Sequence, residues 1–317
     1  MDRKAVARET LEIMHKGYYE CGGTRINIEE HMRNSICGSQ LITPGEGARL
    51  LEQTAGAVAR ELYESEQNGQ RPDTCLVTVE NISTVDAVRR LYQEGKRQIG
   101  VLNFASAKNP GGGFLNGAMA QEESLAASST LYRTLTAHEE YYRANRAQTS
   151  MIYTDHAIYS PRVLFFRDGL FQLTKDPVEA SVLTLPAVNM GQVIQKGEDR
   201  QQARQAMRRR MELALAIFAS QGARHLVLGA YGCGVFRNDP AQVAAWWKEL
   251  LEAGWGERFD SVFHAVLDRS RDGGCIGAFE RVAGVCGKGC PEGREGHPVC
   301  EPGNAVITFE AEKALGS

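Results

Sequence analysis

The stretch NFASAKNPGGGFLNGAMAQEESLAASSTLYRTL, residues 103–135, contains three consecutive glycines and, seven residues after them, a Gln-Glu-Glu triplet. The apolar run over residues 98–106 predicts a strand, and the pattern from about Gln121 to Leu135 predicts a helix. Glycines between a strand and a helix let the backbone adopt positive φ and approach a ligand closely. Exposed N–H groups in such a turn can bind an anion.

A second glycine-rich stretch, GAYGCGVF at residues 229–236, has the same setting. It follows a predicted strand and precedes Asn238-Asp239-Pro240, which predicts a helix cap followed by proline in the first turn. Two such turns facing one crevice would suit a diphosphate, although two purely structural tight turns would give the same pattern. A P-loop is excluded because no Gly-Lys-Ser/Thr occurs, and residues 111–117 lack the Gly-x-Gly-x-x-Gly dinucleotide pattern.

The rest of the chain alternates strand-like and helix-like segments, which predicts an α/β fold with a largely parallel or mixed sheet. Further strands are predicted at 75–81, 157–167, 180–190 and 261–268, and further helices at 4–16, 47–66 and 199–221. Residues 19–46 show no sustained periodicity of apolar residues and are interpreted as a long, partly ordered connection. In such sheets ligands bind outside the carboxyl ends of the strands, where both glycine stretches fall.

Composition excludes some functional classes. The 317-residue chain has a net charge of -3, which argues against a general polyanion binder, so any nucleic-acid-like ligand must be recognised locally. The sequence shows no signal peptide and no apolar run long enough to span a bilayer. Its eight cysteines are interpreted as reduced thiols, and a cytoplasmic protein without membrane association is expected.

The adjacent carboxylates Glu122 and Glu123 suggest acid–base chemistry. Helix neighbours point about 100° apart, so the pair cannot flank one bond from opposite faces as paired glycosidase carboxylates do. One glutamate would then act as general acid while the other binds substrate. The helix N-terminus favours an ionised carboxylate, whereas burial and the neighbouring charge oppose ionisation. An ordinary acidic first turn is the alternative interpretation.

The combination of triple glycine and Gln-Glu-Glu, preceded by Asn103-Phe104-Ala105, resembles the signature of poly(ADP-ribose) glycohydrolases. NPGGGFLNGAMAQEESLAASSTLY and GAYGCGVFRNDP resemble the microbial type, which is built on a macrodomain. The resemblance extends from the N-terminal helix to about Phe279. It implies a macrodomain-like three-layer α/β/α core with a mixed sheet and an N-terminal helical extension. We expect the extension at 1–70, the core at 71–284 and a Cys/Gly-rich tail at 285–317.

The resemblance also implies a role for individual residues. Glu123 would be the catalytic acid that protonates the leaving ribose oxygen of the ribose–ribose bond, and Glu122 would bind ribose hydroxyls beside it. Water would then attack, with Glu123 returning as base, and no cofactor or metal is implied. The expected substrate contacts are Asn103, Gly111, Gly112, Gly113, Gln121, Gly232, Cys233, Gly234, Val235, Phe236 and, at the adenine, Glu80.

The expected function is hydrolysis of poly(ADP-ribose), free or on ADP-ribosylated proteins, with release of ADP-ribose from chain ends. No sequence-specific nucleic-acid binding is expected. The alternatives are a non-catalytic ADP-ribose reader, which would not need Glu123, and a mono-ADP-ribosyl hydrolase on the same fold. Cys233 as a nucleophile is disfavoured, because His225 lies at the far end of the preceding strand. In the tail, Cys286, Cys290, His297 and Cys300 could ligate zinc, but incidental cysteines are favoured.

Overall fold

The computed structural model describes residues 2–68 and 75–283 of the chain. The strands are β1 (Tyr18–Cys21), β2 (Thr24–Asn27), β3 (Gln40–Ile42), β4 (Leu76–Glu80), β5 (Ile99–Ala105), β6 (Ala157–Arg167), β7 (Leu173–Pro186), β8 (His225–Leu228) and β9 (Ser261–Ala265). The α-helices are α1 (Arg3–Lys16), α2 (Glu29–Gly38), α3 (Pro44–Gln67), α4 (Thr84–Gln93), α5 (Gln121–Ser128), α6 (Leu131–Thr136), α7 (Glu139–Arg146), α8 (Met190–Lys196), α9 (Arg200–Ser220), α10 (Pro240–Glu252) and α11 (Gly274–Val282).

The main sheet has seven strands in the order β3-β6-β7-β5-β8-β9-β4. The five strands from β7 to β4 run parallel to one another, while β6 is antiparallel to both β3 and β7. Strand β5, with the sequence IGVLNFA, is buried along almost its whole length. A parallel central strand is covered on both faces, which explains its continuous apolar run.

Two hydrophobic cores lie on opposite faces of this sheet. On one face, side chains of α9 and α10 pack with strand residues such as Leu102 and Leu183. On the other face, α4 to α7 pack with strand residues such as Val101 and Val182. Neighbouring residues of one strand therefore serve opposite cores, as the pleat requires. The fold is the three-layer α/β/α arrangement with a mixed sheet that the sequence predicted.

The predicted irregular connection at 19–46 is wrong. This segment forms the hairpin β1–β2, helix α2 and strand β3, which pairs with β6 in the main sheet. The hairpin strands have four residues each and alternate only weakly in burial, so they are too short to show a period. The predicted boundary near residue 70 stays a prediction, although β3 places part of the N-terminal segment in the same sheet as the core.

Two predicted elements differ in extent from those observed. The single helix predicted over 121–135 is interrupted at Ser129 and Thr130. Ser129 bridges to Phe165 of β6, and Thr130 exchanges hydrogen bonds with Leu164, so a neighbouring strand competes for this backbone. The strand predicted over 180–190 begins earlier and ends at Pro186, where a loop leads to α8.

Helix α1 packs beside the helix that carries the two glutamates. Val6 and Ala7 join Phe114 and Ala126 in one small apolar cluster, and the Thr10 hydroxyl donates a hydrogen bond of 2.7 Å to the Ala127 carbonyl. The N-terminal helix is therefore part of the scaffold of the glutamate helix. Within the described residues, no helix has the length and apolar character needed to cross a membrane.

Candidate active site

One cleft of about 670 Å³ opens over the carboxyl ends of the parallel strands. Both glycine stretches and both glutamates contribute to it. The two glycine stretches lie more than a hundred residues apart in sequence. The predicted site residues that line it are Gly112, Gly113, Gln121, Glu122, Glu123, Gly232, Cys233, Gly234, Val235 and Phe236. The two turns therefore converge as the strand order requires.

The N–H groups of the first glycine turn bond acceptors within the protein, among them the carboxylate of Glu123. The Gly113 N–H donates to Glu123 Oε1 at 2.9 Å, and the Ala120 N–H donates to Glu123 Oε2 at 3.0 Å. The Gly112 N–H bonds the Asn109 carbonyl. The prediction that this turn cradles a diphosphate through its N–H groups is therefore not supported, because those donors are already used within the protein.

Gly112 shows why this turn needs glycine. Its φ is +60°, a conformation that a side chain disfavours. A Cβ at this position would also lie 3.1 Å from Glu122 Oε2 and still closer to the carboxylate of Glu123. The absence of a side chain lets the backbone pass directly against both carboxyl groups.

Glu122 is the more buried of the two glutamates, with 2% of its surface exposed. Its Oε2 accepts a hydrogen bond of 2.6 Å from the Ser106 N–H, and its Oε1 accepts one of 3.3 Å from the Asn103 amide. Burial raises the pKa of Glu122 to about 8, with a further increase from Glu123, while the hydrogen bonds from Ser106 and Asn103 act against that rise. Burial therefore favours the protonated form of Glu122 around neutral pH.

Two tyrosines of α7 form the buried wall behind Glu122. The rings of Tyr141 and Tyr142 meet edge to face with centroids 4.7 Å apart, and neither is exposed. The Tyr141 hydroxyl donates a long hydrogen bond of 3.5 Å to the Ser106 carbonyl, the residue whose N–H bonds Glu122. These rings exclude water from the rear of the carboxyl group, which explains its high pKa.

Gln121 and Asn103 make hydrogen bonds that connect the glutamate helix to strand β5. Gln121 accepts from the Phe104 N–H at 2.9 Å and donates to the Leu102 carbonyl at 2.8 Å, which ties α5 to strand β5. Asn103 is fully buried and does not line the cleft. Their substrate contacts stay predictions, and the contacts that the structure shows fix Gln121 and Glu122 relative to β5.

The second glycine loop does present free donors. Among the described residues, no acceptor bonds the N–H groups of Gly234, Val235 and Phe236. Gly232 has a φ of +72°, and a Cβ there would meet the Asn238 amide nitrogen at 2.6 Å. The Asn238 amide donates to the Gly232 carbonyl at 3.0 Å and fixes the base of the loop. Three consecutive N–H groups at the cleft are thus available to an anionic ligand.

Phe236 and Cys233 complete this loop. The Phe236 ring packs against Tyr153 with centroids 6.2 Å apart and lines the cleft. Burial raises the pKa of the Cys233 thiol well above its ordinary value, so the reactive thiolate is disfavoured. His225 bonds Ser261 at the opposite end of β8. Cys233 is therefore a small residue that fills the loop.

Glu80 does not belong to the cleft. It ends β4 as predicted, but its carboxylate is bonded to Arg90, with 2.6 Å between Arg90 Nη1 and Glu80 Oε2. Its position gives no support to the predicted adenine contact. Gly111 is likewise buried behind the cleft surface. The tail residues Cys286, Cys290, His297 and Cys300 lie outside the described residues.

Comparison with known families decides the identity of this site. The family model of the microbial-type PARG catalytic domain matches residues 7–168, which include the first glycine turn and both glutamates. The chain belongs to this family, the microbial-type poly(ADP-ribose) glycohydrolases. It is a glycohydrolase of that family. Among curated proteins, none matches the sequence.

Solved structures of bacterial poly(ADP-ribose) glycohydrolases share this fold over most of their length. The Thermomonospora curvata enzyme is 37% identical, with a TM-score of 0.80, and the match covers 88% of this chain and 98% of that one. Its complex with the inhibitor ADP-HPD is 38% identical, with a TM-score of 0.79 and the same coverage. The Deinococcus radiodurans enzyme in complex with ADP-ribose is 44% identical, with a TM-score of 0.71 and coverages of 80% and 98%.

The glycohydrolase cleft also contains residues that the sequence interpretation missed. Arg3 of α1, Phe171 of the β6–β7 turn and Arg269 after β9 all line it. The Arg3 guanidinium lies 3.8 Å from the centroid of the Phe171 ring. These residues come from three distant segments and belong to no motif. Only the position of Arg269 just beyond a strand could have indicated it.

Proposed function

We propose that Glu123 is the general acid and base of ribose–ribose bond hydrolysis. The main support is that Glu123 lines the same cleft as the loop 232–236. Each of its carboxylate oxygens accepts a hydrogen bond from one backbone N–H. Protonation of the leaving ribose oxygen lets the glycosidic bond break through an oxocarbenium-like state. Water then attacks the anomeric carbon, and Glu123 takes up its proton.

In this proposal the free N–H groups of the loop 232–236 bind the diphosphate of the ADP-ribose unit that is released. Phe236 packs against the ribose attached to that diphosphate, and Tyr153 fixes the orientation of the Phe236 ring. Glu122, whose protonated form is favoured by burial, provides a hydrogen-bonding carboxyl group for the ribose hydroxyls beside the scissile bond. Asn103 and Ser106 hold that carboxyl group in place.

The test is the Glu123→Gln variant, with Glu52→Gln on the exposed face of α3 as the matched control. Each protein is incubated with poly(ADP-ribose), and the products are resolved by mass. We expect Glu123→Gln to lower turnover by about 10³-fold, while calorimetry shows nearly unchanged ADP-ribose affinity. Unchanged turnover in Glu123→Gln would rule out Glu123 as the general acid.

We further propose action at chain ends on protein-linked polymer. Chains labelled at the protein end are followed over time on a sizing gel. End-wise action releases ADP-ribose alone from the first time point, and the labelled chains shorten gradually. Early appearance of free oligomers would instead establish internal cleavage. A parallel incubation with mono-ADP-ribosylated protein tests the alternative hydrolase, which would remove the single unit at a comparable rate.

A further inference from the structure

Two arginines at the cleft have no acidic partner. Arg3 and Arg269 both line it, and within residues 2–68 and 75–283 neither guanidinium is hydrogen-bonded or ion-paired to a carboxylate. Other arginines near strand ends are neutralised: Arg90 bonds Glu80, and Arg210 bonds Asp155 at 2.7 Å. A cationic pair that the protein leaves uncompensated in a cleft is suited to an anionic ligand.

Arg3 and Arg269 line the same cleft, and the positive charge of Arg269 acts on Arg3. Partial burial lowers the pKa of Arg3, and the positive charge of Arg269 lowers it further. The Phe171 ring holds the Arg3 guanidinium by a cation–π contact, so its position is defined without an ion pair. The unliganded protein therefore keeps two like charges together, and a dianion between them would relieve that repulsion.

This pair is separate from the anion-binding loop. Arg3 is contributed by α1 and lies beside the first glycine segment, since a Cβ at Gly117 would be 3.4 Å from Arg3 Cβ. The loop 232–236 follows β8 and provides backbone donors only, whereas Arg269 follows β9. The cleft is thus lined by two kinds of group that bind anions, neutral backbone N–H groups and guanidinium groups.

We propose that Arg3 and Arg269 form a second diphosphate site, which binds the ADP-ribose unit adjoining the one held by the loop 232–236. The inference rests on the proposed function, because a polymer of ADP-ribose carries one diphosphate in every unit. Guanidinium groups bind phosphate oxygens by charge-assisted, often bidentate hydrogen bonds. A monomeric ligand leaves this site empty, so the arginines select polymer over a single ADP-ribose.

The test measures binding without turnover, in the Glu123→Gln background. Labelled poly(ADP-ribose) and free ADP-ribose are titrated into this protein and into versions that also contain Arg3→Gln and Arg269→Gln. The matched control carries Arg33→Gln and Arg204→Gln, which remove the same charge from exposed positions outside the cleft. Thermal melting confirms that each variant folds.

We expect the double cleft variant to weaken polymer binding about tenfold and to change ADP-ribose binding less than twofold. Its plot of log affinity against log salt should be shallower by about 1.4 units, because two cationic contacts are lost. A version with Arg3→Lys and Arg269→Lys should recover part of the polymer affinity. Equal losses for polymer and ADP-ribose, or no loss for polymer, would overturn the proposal.

A different experiment, the turnover assay, would refute the proposed function. If the unmodified protein releases no ADP-ribose from polymer, the assignment of Glu123 fails. The binding titration still reports whether the arginine pair recognises a second diphosphate. Conversely, normal turnover together with unaltered polymer binding in the double variant would refute the arginine site alone.

Discussion

The two glycine turns look alike in sequence but perform different tasks in the structure. The turn at 111–113 directs N–H groups at the Glu123 carboxylate and at the Asn109 carbonyl. The loop at 232–236 leaves three consecutive N–H groups without a partner among the described residues, and Val235 at its tip is 81% exposed. Glycine admits a close neighbour in the first case and shapes a donor array in the second, so composition alone does not reveal which task a turn performs.

Among changes to the two glycine turns, Gly112→Ala should have the largest effect, because it would distort the first turn. A methyl group there collides with the Glu123 carboxylate, and the positive φ adds backbone strain. A displacement of about 1 Å in a catalytic group costs about 10²-fold in rate, and we expect a loss of 10²- to 10³-fold in kcat. Steady-state kinetics on poly(ADP-ribose) measures it. ADP-ribose affinity should change little, and a variant with parental kcat would contradict the proposed contact.

The next effect concerns stability and the neutral carboxyl of Glu122. Its pKa is raised from 4.5 to about 8 in the folded protein, so the folded chain binds one more proton between these values. The free energy of unfolding should therefore fall as pH rises through this window, by up to about 5 kcal/mol from this group. Glu122→Gln removes this pH dependence of stability. The buried Asn103 Oδ1 has no partner, and it can accept a hydrogen bond from the new amide when the Asn103 side chain reorients.

Melting curves at pH 5 and pH 9 measure this effect. The melting temperature of Glu122→Gln relative to the parent should be several degrees higher at pH 9 than at pH 5. The control Glu52→Gln removes an exposed carboxylate and should follow the parent at both values. A constant difference between Glu122→Gln and the parent would show that Glu122 titrates normally.

The smallest effects are expected from glycine substitutions in the loop 232–236, and they test whether this loop differs in function from the turn at 111–113. Gly232→Ala clashes with Asn238 and Ala187 and should tilt the donor array, which weakens ADP-ribose binding about tenfold with little change in kcat. Gly234→Ala meets no atom within 4 Å and has no positive φ, so it should bind normally. Calorimetry with ADP-ribose distinguishes them. Equal affinities for both variants would mean that loop geometry does not position the diphosphate.

Sequence reasoning succeeded where periodicity and strand order decide the outcome. The continuous apolar run of β5 and the proline-capped start of α10 predicted their elements. The convergence of two distant turns followed from the rule that parallel strands present their carboxyl ends at one edge. The family resemblance, carried by residues 103–135, was confirmed by the family and structural comparisons.

The hydrogen-bond partners of individual polar groups could not be predicted from the sequence. Gln121 lies in the signature triplet, yet its amide bonds β5, and Glu80 ends a core strand, yet Arg90 takes its carboxylate. Hydrogen-bond pairing depends on tertiary distances that a linear pattern does not contain. Arg3 was missed for the same reason, because only the packing of α1 against α5 brings it to the cleft.

Strand β3 has a practical consequence for anyone who shortens this protein. It pairs with residues 157–159 of β6, and further along the same strand the Ser35 hydroxyl of α2 donates to the Pro161 carbonyl at 2.6 Å. A polypeptide trimmed to residues 71–283 would lose both β3 and α2, and β6 would become an exposed edge strand. We expect such a fragment to self-associate during purification, so recombinant versions intended for crystallisation or inhibitor screening should retain the N-terminal arm.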